Sequence, residues 1–202
     1  MVLQRLANAA AFLGNDPAHH ALDWDRLPDA LRRHQYVDLP PDTVIAEYRR
    51  LYPHYSASDV FFAATTAGRS WRGAVLEAEA RARQNAPTWV YQLDFPSPLD
   101  GGKFGAMHTL DIPLAFDNIR QPGSRTGDFA QAQMTADAMS DALIAFARSG
   151  DPNHAGLPHW PQYDLQRRAT MLFDAVLRVA DDPRGGERRL YERAPFVQRG
   201  TF

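Results

Sequence analysis

The chain has 202 residues, 45% of them apolar and 23% charged, which is enough hydrophobic material for a folded core and too much for a disordered chain. Its 22 basic and 24 acidic side chains leave a net charge of −2, which argues against nucleic acid or an anionic membrane as the main partner. It has no cysteine, so disulfides, thiolate nucleophiles and cysteine metal sites are excluded together; a reducing compartment such as the cytoplasm is compatible with this composition but not assigned by it. No run approaches the ~18 apolar residues of a membrane span, and the apolar run after Arg5, interrupted by Asn8, is a poor match to a signal peptide.

In chain order, residues 1–30 read as irregular, with a turn at Gly14-Asn15-Asp16-Pro17 and a short helix near Leu27 to Leu31. Pro40-Pro41-Asp42 opens a helix that carries Val44, Ile45, Tyr48 and Leu51 at helical spacing and stops at Pro53. The longest helix starts near Ser58-Asp59, and its buried stripe is Phe61, Ala64, Gly68, Trp71, Val75, Ala78 and Ala82. On its polar side Glu77 and Arg81, and Glu79 and Arg83, are spaced to pair. Thr88 to Phe95 alternates as a strand does, with Trp89, Tyr91, Leu93 and Phe95 on one face and Thr88, Gln92 and Asp94 on the other.

Pro96, Pro98 and Gly101-Gly102 end that strand and open a loop. Asp128 begins another helix, with Met134, Ala138, Ala142 and Phe146 predicted inward and Gly150 and Pro152 as its stop. Met171 to Asp174 and Val176 to Ala180 read as two short strands joined by a tight turn, and a terminal helix runs from Glu187 to Arg193. With no internal repeat and no linker, residues 1–202 are expected to form a single unit.

The loop after the Thr88–Phe95 strand carries Gly105-Ala-Met-His108-Thr-Leu-Asp111-Ile-Pro113-Leu-Ala-Phe116. Further along come Ala145-Phe146-Ala-Arg148-Ser-Gly150-Asp151-Pro152-Asn153, then Leu157-Pro158-His-Trp160-Pro161-Gln-Tyr163-Asp164, then Thr170-Met-Leu-Phe173-Asp174 and Asp182-Pro183-Arg184. In this order the motifs resemble the C-terminal portion of the type B carboxylesterases, the cholinesterase-like branch of the α/β-hydrolases, over about residues 40 to 190. The resemblance implies an α/β fold: the C-terminal part of an α/β-hydrolase, helix-rich, with a few strands of an incomplete sheet. It implies that His108 is the catalytic histidine, the general base and then acid of a serine hydrolase, and that no metal or organic cofactor is needed.

Other parts of that apparatus do not appear in the sequence. A nucleophile elbow reads Gly-x-Ser-x-Gly, because small flanking residues permit its strained turn. Ser70, in Gly68-Arg-Ser70-Trp-Arg-Gly73, and Ser124, in Gly123-Ser124-Arg-Thr-Gly127, both have the wrong spacing. No glycine-rich oxyanion loop is present, since Gly101-Gly102 and Gly185-Gly186 read as turns. The resemblance also aligns Ala11-Phe12-Leu13-Gly14 with the stretch that follows the family's acid, which puts Asn8 at the acid's position. An asparagine can hold an imidazole by a hydrogen bond but cannot stabilise an imidazolium by charge.

Asp111, three residues after His108, reads as a local structural or capping group. His19-His20, His154 and His159 lack the spacing of a metal site. The expectation is therefore a carboxylic ester hydrolase by lineage, inactive alone, whose partner is a small-molecule ester once a nucleophile-bearing N-terminal half completes it. The alternative is a non-catalytic binding or interaction module derived from the same family.

Overall fold

The structure, a computed structural model, describes residues 2–5 and 13–196. Four strands form one sheet in the order β1 (Val2–Arg5), β2 (Val90–Leu93), β3 (Ala169–Phe173) and β4 (Arg178–Asp181). The first three are parallel, with Val90 opposite Val2 and Thr170, whereas β4 returns antiparallel to β3. Strand β1 was not anticipated from the sequence, because nothing within its four residues distinguishes a strand from the irregular segment expected there.

The helices come from punctuated amphipathic runs. Helix α1 (Leu27–His34) has proline in its first turn, as does α2 (Pro41–Leu51). Ser56 caps α3 (Ala57–Thr66): its Oγ accepts from the Asp59 N–H while Asp59 Oδ2 accepts from the Ser56 N–H, a reciprocal capping box. A π-helical turn, Ala67–Trp71, joins α3 to α4 (Arg72–Arg83) without a break. The predicted stripe is the buried one, with Phe61, Ala64, Trp71, Val75 and Ala78 all in the interior. Glu79 corrects the expectation of an exposed ion pair. It is buried, and besides Arg83 at 3.0 Å it binds Arg168 at 3.2 Å from the approach to β3. Arg81 donates instead to Thr88 Oγ1, at 3.0 Å.

Helix α5 (Asp111–Ala115) is one short turn, and α6 (Ala130–Ser149) ends at Gly150 with φ +78°, a left-handed cap suited to glycine. Met134 is not in the core as expected; it is 62% exposed, and Ala132, Thr135, Ala136 and Met139 are buried with Ala138 and Ala142. Helix α7 (Gly185–Tyr191) is the last helix among the described residues.

Among the described residues two large hydrophobic clusters result, with a small third at Ala78, Val90 and Tyr163. One lies between the sheet and α6, where Trp89, Tyr91, Leu93 and Phe95 meet Met139, Ala142, Trp160, Met171 and Phe173. Tyr91, Trp160 and Phe173 pack edge to face, with centroids 5.6 to 6.5 Å apart, a geometry favoured by the ring quadrupoles. The other joins α1, α2, α3 and α7 through Leu27, Leu31, Val44, Tyr48, Phe61 and Tyr191. Each such fully buried large side chain contributes roughly 1.5–3 kcal/mol.

Candidate active site

The loop that carries His108 leaves the carboxyl end of β2, the edge at which open parallel sheets place ligands. Its start is fastened to the next parallel strand, since the N–H groups of Asp94 and Phe95 both donate to the Phe173 carbonyl, at 2.8 and 3.0 Å. Ser97 then ties the loop's two arms together: its N–H donates to Gly105 O at 2.9 Å and its Oγ to Arg125 O at 2.6 Å. The Gly101-Gly102 turn has φ of +70° and +87°, so the glycines are required where the chain reverses.

Around the histidine the grip is apolar. Ala106, Met107, Leu110 and Leu114 are buried in the sheet-side cluster, and His108 lies half-buried between them. The Leu110 N–H donates to Met107 O at 3.2 Å, which closes a turn around His108 and Thr109. Thr109 adopts φ +71°. For a β-branched side chain this is a true backbone outlier, of the kind that clusters at functional sites and costs on the order of 1–3 kcal/mol. Its Oγ1 donates to the His108 carbonyl at 2.5 Å. Asp111 is buried and opens α5, where the Ile112 N–H donates to Thr109 O at 3.1 Å. No sequence cue marked the strained Thr109.

Near the root of the loop, Asp94 accepts from Gln92 Nε2 at 2.8 and 3.0 Å. Burial raises its carboxyl pKa above the ordinary value, the Gln92 bond opposes this, and the like charge of Asp174 adds to it. Asn8, at the expected acid position, lies outside the described residues.

Of the other candidates, His20 touches the His108 loop, its ring edge to face with that of Phe104 at 5.9 Å. Ser70 sits in the π-helical turn, and Ser124 lies in a turn where its Oγ is 3.3 Å from Thr126 Oγ1. His19 and His20 bond the Leu13 and Gly14 carbonyls and pack on Phe61 and Phe62, while His154 bonds Ala138 O. Among the described residues no group of three His, Cys, Asp or Glu could hold a metal ion, and no helix is long and apolar enough to cross a membrane.

Comparison with known proteins bears on the same segment. The carboxylesterase family model matches residues 55–189, a span that includes His108. Phenmedipham hydrolase of Pseudarthrobacter oxydans is 38% identical over 110 residues, 52% of this chain and 22% of that protein. Para-nitrobenzyl esterase of Bacillus subtilis is 28% identical over 123 residues, 59% of this chain and 24% of that protein. A crystallised carboxylesterase of Geobacillus stearothermophilus superposes with a TM-score of 0.78 at 30% identity, covering 94% of this chain and 39% of that one. The chain thus spans less than a quarter of the length of these curated relatives, 22% and 24%. The matched span, the order of its motifs and the superposition agree, and the chain belongs to the carboxylesterase family, with the architecture of part of an α/β-hydrolase.

Proposed function

We propose that this chain is the C-terminal part of a serine carboxylesterase and contributes the catalytic histidine, His108. The observation that carries the reading is the position of His108, in the family's histidine motif, on a strained loop at the carboxyl edge of three parallel strands.

In the completed enzyme a serine from the N-terminal half attacks the ester carbonyl while His108 accepts the hydroxyl proton. The tetrahedral adduct collapses, and His108 passes that proton to the departing alkoxide, which releases the alcohol and leaves an acyl-enzyme. Water then attacks the acyl carbon as His108 takes its proton, and on collapse His108 returns that proton to the departing serine oxygen, which regenerates the serine and releases the acid. This chain contributes no serine in an elbow context and no oxyanion loop, so alone it should not turn over an ester. The cycle uses no metal or organic cofactor. If Asn8 stands at the acid position, the imidazolium that forms at each proton transfer lacks a carboxylate partner, and the completed site is impaired.

The test is to combine the chain with the nucleophile-bearing N-terminal half of a related carboxylesterase and to assay a para-nitrobenzyl ester. Hydrolysis should appear in the mixture only and vanish with His108→Ala. A mixture that never turns over, or one indifferent to His108→Ala, overturns the reading. The alternative, a non-catalytic binding module, draws on the well-filled interior around Trp160, Tyr48 and Tyr191. It predicts a cooperative thermal transition for the chain on its own and no hydrolysis in any mixture.

A further inference from the structure

Helix α6 has a second face, distinct from the one it buries. Met134, Asp137 and Asp141 follow the three-, four- and seven-residue spacing that aligns side chains along a helix, beside the buried Ala138. They look across at the turn between β3 and β4, where Asp174 and Leu177 stand. Gln131 Nε2 donates to Ala175 O at 2.8 Å and ties the helix to that turn. The space between is a groove of about 230 Å³.

We propose that this groove binds a small cationic amphiphile, an ammonium group on a short alkyl or aryl stem. Its walls are mixed in a particular way. Met134 and Leu177 offer apolar surface, and a methionine thioether adapts to varied shapes. Asp137, Asp141 and Asp174 bring three carboxylates, and no Arg or Lys lines the groove. Asp137 accepts from Gln133 and Asp174 from the Ala175 N–H, both neutral donors, and none of the three carboxylates makes a described ion pair.

The remaining basic side chain is committed elsewhere. His154 Nδ1 accepts from the Gly156 N–H at 3.1 Å, and its Nε2 faces Ala138 O at 3.2 Å. Both ring nitrogens are thereby engaged with the backbone rather than with a carboxylate of the groove. The carboxylates therefore stand over an apolar floor without a counter-charge, which favours a ligand cation and disfavours an anion. The volume lies below the ~300–1,000 Å³ of drug-sized sites, so the occupant is a ligand of hexylamine size rather than a larger molecule. The lining contains neither His108 nor any residue of its loop, and the inference stands apart from the esterase reading.

The test is a titration of the full chain, labelled with ¹³C in its methionine methyl groups, using n-hexylammonium, n-hexanol and hexanoate as separate probes. The Met134 methyl signal should move saturably with hexylammonium, while that of Met171, fully buried in β3, stays in place. Hexanol should bind at least about tenfold more weakly and hexanoate not measurably, because only the cation answers the carboxylates. The exposed pair Asp137→Asn/Asp141→Asn should weaken hexylammonium about fivefold or more, without moving the thermal midpoint. Equal affinity for hexanol, an unchanged Kd in the double variant, or no shift at about 10 mM, the weak end of specific binding, overturns the proposal. If the chain is insoluble alone, the same titration is run on the complemented mixture, with the same shifts expected. An inactive mixture that still binds hexylammonium rejects the esterase reading and leaves the groove intact.

Discussion

The Glu187 carboxylate and the His108 imidazole are held in opposite ways. Glu187 is 1% exposed, and its oxygens accept from Tyr48 at 2.5 Å, Tyr52 at 2.7 Å and Arg184, whose Nε lies at 2.8 Å and whose second nitrogen also donates. Arg184 is itself buried and stacks over Trp71 at 4.3 Å. Burial works against its charge, but Glu187 more than compensates and its pKa is raised; the Tyr48 hydroxyl is raised as well, by burial and then by the adjacent carboxylate. The network fastens α7 onto α2 and the π-helical turn through the side chains themselves. At His108 the core grips the neighbours instead: Met107 and Leu110 are buried, Thr109 is strained, and the imidazole lies half-exposed on the loop. Glu187 is fixed by hydrogen bonds to its own carboxylate, whereas the backbone on either side of His108 is fixed by buried apolar neighbours.

The comparison breaks most visibly at His108. In the completed enzyme His108→Ala should lower kcat/KM by about 10⁴-fold or more. It should change unfolding stability by less than about 1 kcal/mol, since the loop is held by its neighbours. Parallel assays and urea melts check both halves of the statement, and a large stability loss would mean that the imidazole is structural. Glu187→Gln reverses the pattern. It leaves the Arg184 charge buried without its counter-ion and should cost about 3–5 kcal/mol in a urea or thermal melt. Replacing both partners, Arg184→Met with Glu187→Leu, should cost less than the single change, because no uncompensated charge is left inside. If the double variant is the less stable of the two, the pair contributes net stability and the argument from desolvation is wrong.

How much was legible in the sequence follows the range over which each signal operates. The Tyr91, Leu93, Phe95 face and the Phe61 to Ala78 stripe were readable because their periods are local. The predicted inward set Met134, Ala138, Ala142, Phe146 failed at its first member for a geometric reason. Steps of four advance about 40° beyond a full helical turn, so three such steps rotate the set about 120° and one face cannot bury all four. Glu79 was misplaced because the residue that draws it inward, Arg168, is 89 positions away. Strand β1 is a strand by virtue of its pairing with Val90–Leu93, which its own four residues do not announce. The motif singled out His108 as a candidate, whereas nothing marked the left-handed Thr109 beside it, since threonine disfavours that conformation and only the tertiary context imposes it.

A smaller effect is expected where the loop leaves β2. Gln92 donates to both Asp94 oxygens, yet its own Oε1 is buried without a donor. The folded-state pKa of Asp94 is raised, chiefly by burial, so the folded protein holds this proton more tightly than the unfolded chain. Stability from this group is therefore greatest below the ordinary carboxyl range and falls as pH rises towards the folded-state pKa, above which the loss is complete. Asp94→Asn removes that pH dependence and offers an amide N–H to Gln92 Oε1. The expected gain is about 1 kcal/mol at neutral pH, with a flatter acid limb in urea midpoints measured across pH. An unchanged acid limb would show that Asp94 does not titrate differently on folding.

The smallest effect tests the strain itself. Thr109 holds φ +71° and donates through Oγ1 to the His108 carbonyl, so relief of strain and loss of the tether can be separated. Asparagine enters the left-handed region more readily than a β-branched residue, and Thr109→Asn should raise unfolding stability by up to about 1 kcal/mol. The same change removes the threonine hydroxyl that fixes the His108 carbonyl, so kcat in the completed enzyme should fall about two- to tenfold with KM nearly unchanged. Stability rising while kcat falls would mean that the strained backbone exists to aim the imidazole. If instead Asn is less stable than Thr, the hydroxyl tether outweighs the strain, and the loop is held in the same way as the Glu187 network, by a satisfied side chain.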